Sequence, residues 1–381
     1  MKKSMFFALA TLGLVAFASC KKEEEKTPEA APELTNETQI TGIPFTGGEF
    51  TYEFDSNKKW TVAGDAEVTI EGQTYEFGLN PTSGDAGHGV VTVTVPANKG
   101  AKEISYSFTL TLLGEDKDTK PLTKTVSLTI PAPSVTDAAG NTYKVVYLKD
   151  GNYWMAENLR TIPEGMTVSE NPADKSGLWY PYTYTDVKIE DGKAKATTKA
   201  AKDEATIKTN GYLYSANVYL GGVEFGKENF TSFEGVRGIC PEGWHIPTKA
   251  DFVALNGYAQ SKGKDIPEVS DDKAPFYDAK YKGGKYENAV AANWNPVLAG
   301  LVTTVYSTNV ITELNSTKTE LFNKPALNYW AGSTGVSETQ VWAMITTFTK
   351  NSYPEGRLHT SFCTASFGVP VRCVMDKTAK K

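Results

Sequence analysis

From Ile40 to Ile130 apolar and polar residues alternate with a period of two. Phe50-Thr51-Tyr52-Glu53-Phe54, Val91-Thr92-Val93-Thr94-Val95 and Tyr106-Ser107-Phe108-Thr109-Leu110-Thr111-Leu112 each send one set of side chains to one face, which predicts half-buried strands. Turn formers interrupt at Gly47-Gly48, Asp55-Ser56-Asn57, Ser83-Gly84-Asp85 and Asn98-Lys99-Gly100, with no helical period between them. About seven short strands in about 90 residues predict a β-sandwich. Pro131-Ala132-Pro133-Ser134 ends the alternation, because proline cannot donate to a ladder, and marks a linker. Beyond it, Thr248 stands three residues before Asp251 as a capping-box start, and Phe252, Leu255 and Ala259 follow on one face, so a short amphipathic helix opens after Pro247. Residues 185–208 and 260–290 read as surface insertions.

The amino-terminal segment has another pattern. Lys2 and Lys3 precede about 13 apolar residues, too few to cross a bilayer, and small residues follow before Cys20, which reads as a secretory signal. Phe17-Ala18-Ser19-Cys20 resembles a bacterial lipobox, which implies that Cys20 is lipidated and becomes the new amino terminus; the other reading is a secreted protein with a spare thiol. Lys21-Lys22-Glu23-Glu24-Glu25 is similar to the signal that exports lipoproteins of the Bacteroidetes to the outer face of the outer membrane. Loss of residues 1–19 removes two lysines and no acid, so 39 basic against 45 acidic residues becomes 37 against 45, and the formal charge moves from −6 to −8. Residues 20–38 are too poor in apolar side chains to pack and read as a flexible tether.

With 381 residues, 40% of them hydrophobic, the chain has enough apolar surface for two or three packed domains. Its four arginines (Arg160, Arg237, Arg357 and Arg372) form no basic cluster, which argues against nucleic acid as a partner, and the acidic balance argues against adhesion to an anionic membrane surface.

Gly47-Gly48-Glu49-Phe50, Asn57-Lys58-Lys59-Trp60-Thr61-Val62, Asn80-Pro81-Thr82-Ser83-Gly84 and Val91 to Asn98 together resemble the BACON domain. That resemblance implies an all-β immunoglobulin-like sandwich over 39–131, found beside glycan-processing modules and proposed to bind carbohydrate. Trp60, alone within an alternating strand, reads as a core residue, and the domain as a spacer. After the linker 132–134, the segments Asp137 to Lys144, Trp154 to Arg160, Gly211 to Ala216, Gly238 to Thr248, Tyr329 to Thr334 and Val371 to Val374 resemble in order the FISUMP family, the major paralogous domain first noticed in Fibrobacter. The match would span 135–376, leaving 377–381 as a tail. Trp244-His245-Ile246-Pro247-Thr248 followed by a helix and a terminal strand is similar to the C-type lectin-like fold, including its formylglycine-generating branch, so this part is expected to be an α+β domain.

Past Cys20 three cysteines remain, one pair and one left over in an oxidising envelope. The family motifs favour Cys240 with Cys373; Cys363 with Cys373 is the other pairing. The formylglycine analogy makes Cys363 a reactive-thiol candidate, but no second cysteine stands near it and His359 is its nearest histidine, so a buried spare thiol is the plainer reading. His88, His245 and His359 are the only histidines, with no zinc or nucleophile-elbow motif, so no cofactor and no metal is expected. Asn293-Trp294-Asn295 echoes a calcium-lectin strand but continues into Pro296, which argues against calcium. Paired carboxylates for glycoside hydrolysis have no fixed spacing and nothing here singles them out.

The densest aromatic run, Leu178 to Tyr184, supplies Trp179, Tyr180, Tyr182 and Tyr184 as candidates for a sugar-binding surface; the competing reading packs Trp179 and its alternates into the core. The sequence thus points to a lipid-anchored module on the extracellular face of the outer membrane, binding glycan or a surface partner without catalysis. The alternatives are an accessory subunit of a fimbrial or glycan-uptake complex, and an enzyme on a formylglycine-generating-like scaffold.

Overall fold

Alternation becomes burial in Gly87–Val95, where Gly89, Val91, Val93 and Val95 face inward and their neighbours do not. The computed structural model describes residues 30–114, 120–190, 193–261, 264–267, 273–294, 296–297, 299, 302, 327–349 and 353–377, with backbone alone for 183–190, 193–198, 258–261, 264–267, 327, 348–349 and 353–354. Cys20 and the tether as far as Glu29 lie outside the described residues.

Two four-stranded antiparallel sheets enclose the first core. One runs in the order Leu34–Thr35, Gly48–Ser56, Gly87–Val95, Gly78–Asn80; the other Leu122–Ile130, Ile104–Leu112, Trp60–Gly64, Ser83–Gly84. Nine strands lie between Gly48 and Ile130 instead of about seven, the excess coming from short edge pieces and the hairpin Glu67–Ile70 with Gln73–Glu76. Tyr52, Phe54, Trp60, Val91, Val93, Phe108 and Leu110 fill the space between the sheets. Phe54 meets the Trp60 ring edge-on at 5.1 Å, so Trp60 is a core residue. Each such side chain contributes about 1.5–3 kcal/mol by leaving water.

Past Pro133 the chain builds a second set of sheets. In the five-stranded antiparallel sheet, the strand Val374–Met375, near the carboxyl terminus, inserts between Tyr153–Met155 and Trp244–His245. A meander of three long strands, Leu327–Ser337, Gln340–Thr349 and Tyr353–Thr364, forms the centre of the largest sheet. Helix Lys249–Asn256 lies on it, with Phe252 and Leu255 packed beside Trp330, Met344 and Leu358. Its start is the expected capping box, Thr248 Oγ1 accepting from the Asp251 N–H at 3.2 Å and Asp251 Oδ2 accepting from the Thr248 N–H at 2.8 Å. It ends earlier than its apolar spacing suggests, because Gly257 turns left-handed at φ 72° and Ala259 falls in the strand Tyr258–Ser261.

The insertion expected over 260–290 is partly core: Phe276, Tyr281 and Ala289 are buried. In the other one, Tyr182–Glu190 pairs with Lys193–Ala200 as a hairpin, and helix Glu204–Asn210 buries no side chain. The chain is 42% strand and 10% helix, a multi-domain, β-rich protein with several sheets.

The two cores touch through an aromatic contact. Phe45 meets Tyr153 edge-on at 5.0 Å, and the Tyr153 hydroxyl donates to the Asn98 carbonyl at 3.0 Å. Asn98 is itself fully buried and donates to the carbonyls of Lys102 and Pro131. No helix among the described residues is long and apolar enough to cross a membrane.

Candidate functional site

Leu178 and Trp179 form a two-residue strand paired with Leu213–Tyr214. Both its faces are covered, so Leu178 joins the central core while Trp179 packs with Tyr182, Leu213, Ala299 and Val302. Pro181 breaks the alternation, which places Trp179 and Tyr182, three residues apart, in one cluster. Trp179 is 3% exposed and Tyr182 5%, so these rings are not the outward aromatic platform expected from the sequence. Tyr180 is half-buried, edge-on to Tyr212 at 5.8 Å, and the side chain of Tyr184 lies outside the described residues.

Trp179 nonetheless lines a cleft of about 450 Å³. Gly368 makes room for it: a Cβ there would lie 2.7 Å from Trp179 Cε3 and 3.0 Å from Cζ3. The indole Nε1, on the opposite edge of the ring, is buried with no hydrogen-bond partner. Across the cleft, Asn217 Oδ1 accepts from the Phe225 N–H at 3.0 Å and pins the Glu224-Phe225 loop to helix Ala216–Tyr219. Glu338 sits in the turn between two meander strands, held where the Ala365 N–H donates to the Thr339 carbonyl at 2.9 Å. Asp174 Oδ1 accepts from the Ser176 N–H at 3.1 Å, ordering the third wall.

Asp174, Glu224 and Glu338 are exposed around this cleft with Lys175. Among the described residues neither the Glu224 nor the Glu338 carboxylate has an ion-pair or hydrogen-bond partner. Unengaged acceptors around a cleft can hold a hydroxyl-bearing ligand. A groove of about 850 Å³ between the two cores is larger, but its Lys102 is already bonded to Glu71 at 2.6 Å.

The cysteines pair as the motifs favour: Cys240 is bonded to Cys373, and Cys363 is a buried free thiol. Burial pushes the Cys363 thiol up to about 12. His359 is buried with Nδ1 unpartnered, and burial, assisted by Arg357, holds its imidazole down at about 3 and therefore neutral. The two stand four residues apart on the strand Tyr353–Thr364, about 13 Å along its axis, beyond hydrogen-bond reach. Among the described residues no group of three His, Cys, Asp or Glu could hold a metal ion.

Residues 150–375, more than half of the chain, match the Fibrobacter succinogenes major domain. The chain belongs to that family. No curated protein matches it. Among solved structures it is similar to a PapD-like domain of human CEP192, at 19% identity and TM-score 0.21 over 33% of this chain and 97% of that one. A Bacteroides ovatus GH5 xyloglucanase matches at 19% identity and TM-score 0.20, over 28% of this chain and 20% of the enzyme. The class 5 fimbriae chaperone CfaA matches at 12% identity and TM-score 0.21, over 48% of this chain and 82% of the chaperone. At such TM-scores these likenesses carry no argument about function.

Within the Fibrobacter major domain, residues far apart in the chain join in one buried network. Asn158 Oδ1 accepts from Arg372 Nε at 2.7 Å and from Trp330 Nε1 at 3.2 Å. Arg372 is 1% exposed; its guanidinium also donates to the Trp294 carbonyl and lies 4.2 Å from the Trp294 ring centroid, and burial lowers its pKa to about 9. Trp294 is thus a core residue. Ser333 Oγ donates to the Ile246 carbonyl at 3.0 Å, and the Lys249 N–H donates to Thr334 Oγ1 at 2.8 Å. His245 bridges Asp376 at 2.5 Å and Asp251 at 3.3 Å. Burial disfavours the charged ring, and the bonds to Asp251 and Asp376 outweigh it, so its pKa is raised.

Sequence reasoning missed Glu224 and Glu338, which stand 114 positions apart in the chain by their numbers and meet only through the fold.

Proposed function

We propose that this protein is a non-catalytic binding module, anchored through Cys20 to the outer membrane and displayed outward, that captures glycan. A BACON-like sandwich spaces a lectin-like head from the anchor. The observation that carries this reading is the cleft lined by Trp179 and rimmed by the unengaged carboxylates of Glu224 and Glu338. Ring hydroxyls donate, so a sugar can satisfy both carboxylates across the cleft. Binding rather than turnover is supported by Cys363, whose burial keeps it a thiol and not a thiolate. Cys363→Ala is therefore expected to leave function intact.

The test is a glycan array probed with the mature chain, followed by titration of the best ligand against wild type and Glu338→Gln. Saturable binding weakened by the substitution supports the reading. Binding to no glycan, or turnover lost in Cys363→Ala, overturns it.

A further inference from the structure

Among the described residues the two sheets of the sandwich end in four edge strands, and three of them, Leu34–Thr35, Gly78–Asn80 and Ser83–Gly84, are two or three residues long. The fourth, Leu122–Ile130, runs for nine residues in an unbroken ladder with Ile104–Leu112. Among the described residues no backbone group of this strand bonds outside that ladder, so its outer row of N–H and C=O groups is open. Shortness, prolines, bulges and charges are the usual protection of an open edge. Leu122–Ile130 contains no proline, no glycine and no register shift, and its one charge, Lys124, is held by Glu37 at 3.2 Å. Val126, Leu128 and Ile130 face the core, while Thr123, Thr125, Ser127 and Thr129 are exposed.

The order of these residues selects the occupant. Counted outward from Val126, Thr125 mirrors Ser127, Thr123 mirrors Thr129 and Leu122 mirrors Ile130; only Lys124 and Leu128 differ in kind. We propose that Leu122–Ile130 is the docking edge for a second copy of this chain. The two strands pair antiparallel about a two-fold axis at Val126 and join two four-stranded sheets into one of eight. Such an interface is isologous, so each residue meets its mirror position. Thr125 stands beside Ser127 of the second copy, and Thr123 beside Thr129 of the second copy, hydroxyl pairs that favour cross-strand contact. Lys124 lays its methylene stem along Leu128 of the second copy while its ammonium stays on Glu37. The two lysines are then four residues apart along the paired strands, about 13 Å, which keeps their repulsion small. A single strand pair is a small interface, so the dimer is weak, with a dissociation constant on the order of 10–100 µM. None of this depends on the cleft or its ligand.

The mature chain carrying Cys20→Ser, which removes the amino-terminal thiol, is followed by sedimentation velocity from about 5 to about 300 µM, a range that brackets the expected constant. It should pass from monomer to dimer. Thr125→Lys with Ser127→Lys, two exposed substitutions, sets four ammonium groups against one another across the axis and should remain monomeric throughout with its melting temperature unchanged. For the register, Thr125→Cys and Ser127→Cys chains are mixed and oxidised, Cys363 being buried. The mixed 125–127 disulfide should form at least fivefold more than either symmetric one, as read by peptide mass spectrometry. A monomer at every concentration overturns the proposal and leaves the edge to a strand of another protein. A dimer indifferent to the lysine pair, or equal yields of the three disulfides, overturns it as well.

Discussion

Arg372 donates from Nε to Asn158 Oδ1 at 2.7 Å, joining positions 214 residues apart. The same oxygen accepts from Trp330, so a single amide organises a buried cation and an indole. Asn158→Ala leaves both donors without it and is expected to cost about 1.5–3 kcal/mol in urea unfolding. Asn158→Ala combined with Arg372→Met should be more stable than Asn158→Ala alone, because no buried charge is then left short of acceptors. Equal stability of the single and double variants would refute this account.

His245 supplies the pH dependence. Its folded pKa lies above the ordinary 6.5, so its contribution is fully present below that value and is lost as pH rises through the folded pKa. Asp251 has a lowered pKa, burial opposing and the hydrogen bonds from His245 and Thr248 prevailing, so its contribution is present above 3.8 and lost as pH falls through the folded value. Melting curves of wild type and His245→Gln should therefore differ most between about pH 4 and 6.5 and converge in the alkaline range. A difference that grows with pH contradicts this.

Trp179→Ala is expected to destabilise the protein by about 3–5 kcal/mol, since it empties a buried site between Gly368, Val302 and Tyr182. Glu338→Gln, at an exposed turn, should melt within about 0.5 kcal/mol of wild type. Differential scanning fluorimetry separates the two outcomes, and a thermally silent Trp179→Ala would contradict the packing described.

The disulfide ties Cys240 to Cys373 across 133 residues. Cys240→Ser with Cys373→Ser should cost about 2–5 kcal/mol. Cys363 should resist iodoacetamide in the native oxidised protein and react once it unfolds, which peptide mass spectrometry reads directly. Labelling of native Cys363 would disprove its burial.

The period-two runs made the sandwich legible, as Thr248 and Asp251 did the helix start, because these signals are local. The ordered segments disclosed the family, since residues such as Asn158, Trp330 and Arg372 are demanded by one buried network. The cleft was not legible. Pro181 shifts the alternation that would say which way Trp179 faces, and Glu224 and Glu338 carry no local pattern, only a shared space that three segments create.

Tyr153 gives the molecule its mechanics. Its ring against Phe45 and its hydroxyl on the Asn98 carbonyl run beside the Pro131–Ser134 backbone, so a pull on the far region divides between a covalent strap and a non-covalent clamp. A force on the carboxy-terminal region would have to strip that clamp before the strap could swing, and until then the cleft would keep one fixed aim relative to the amino-terminal end.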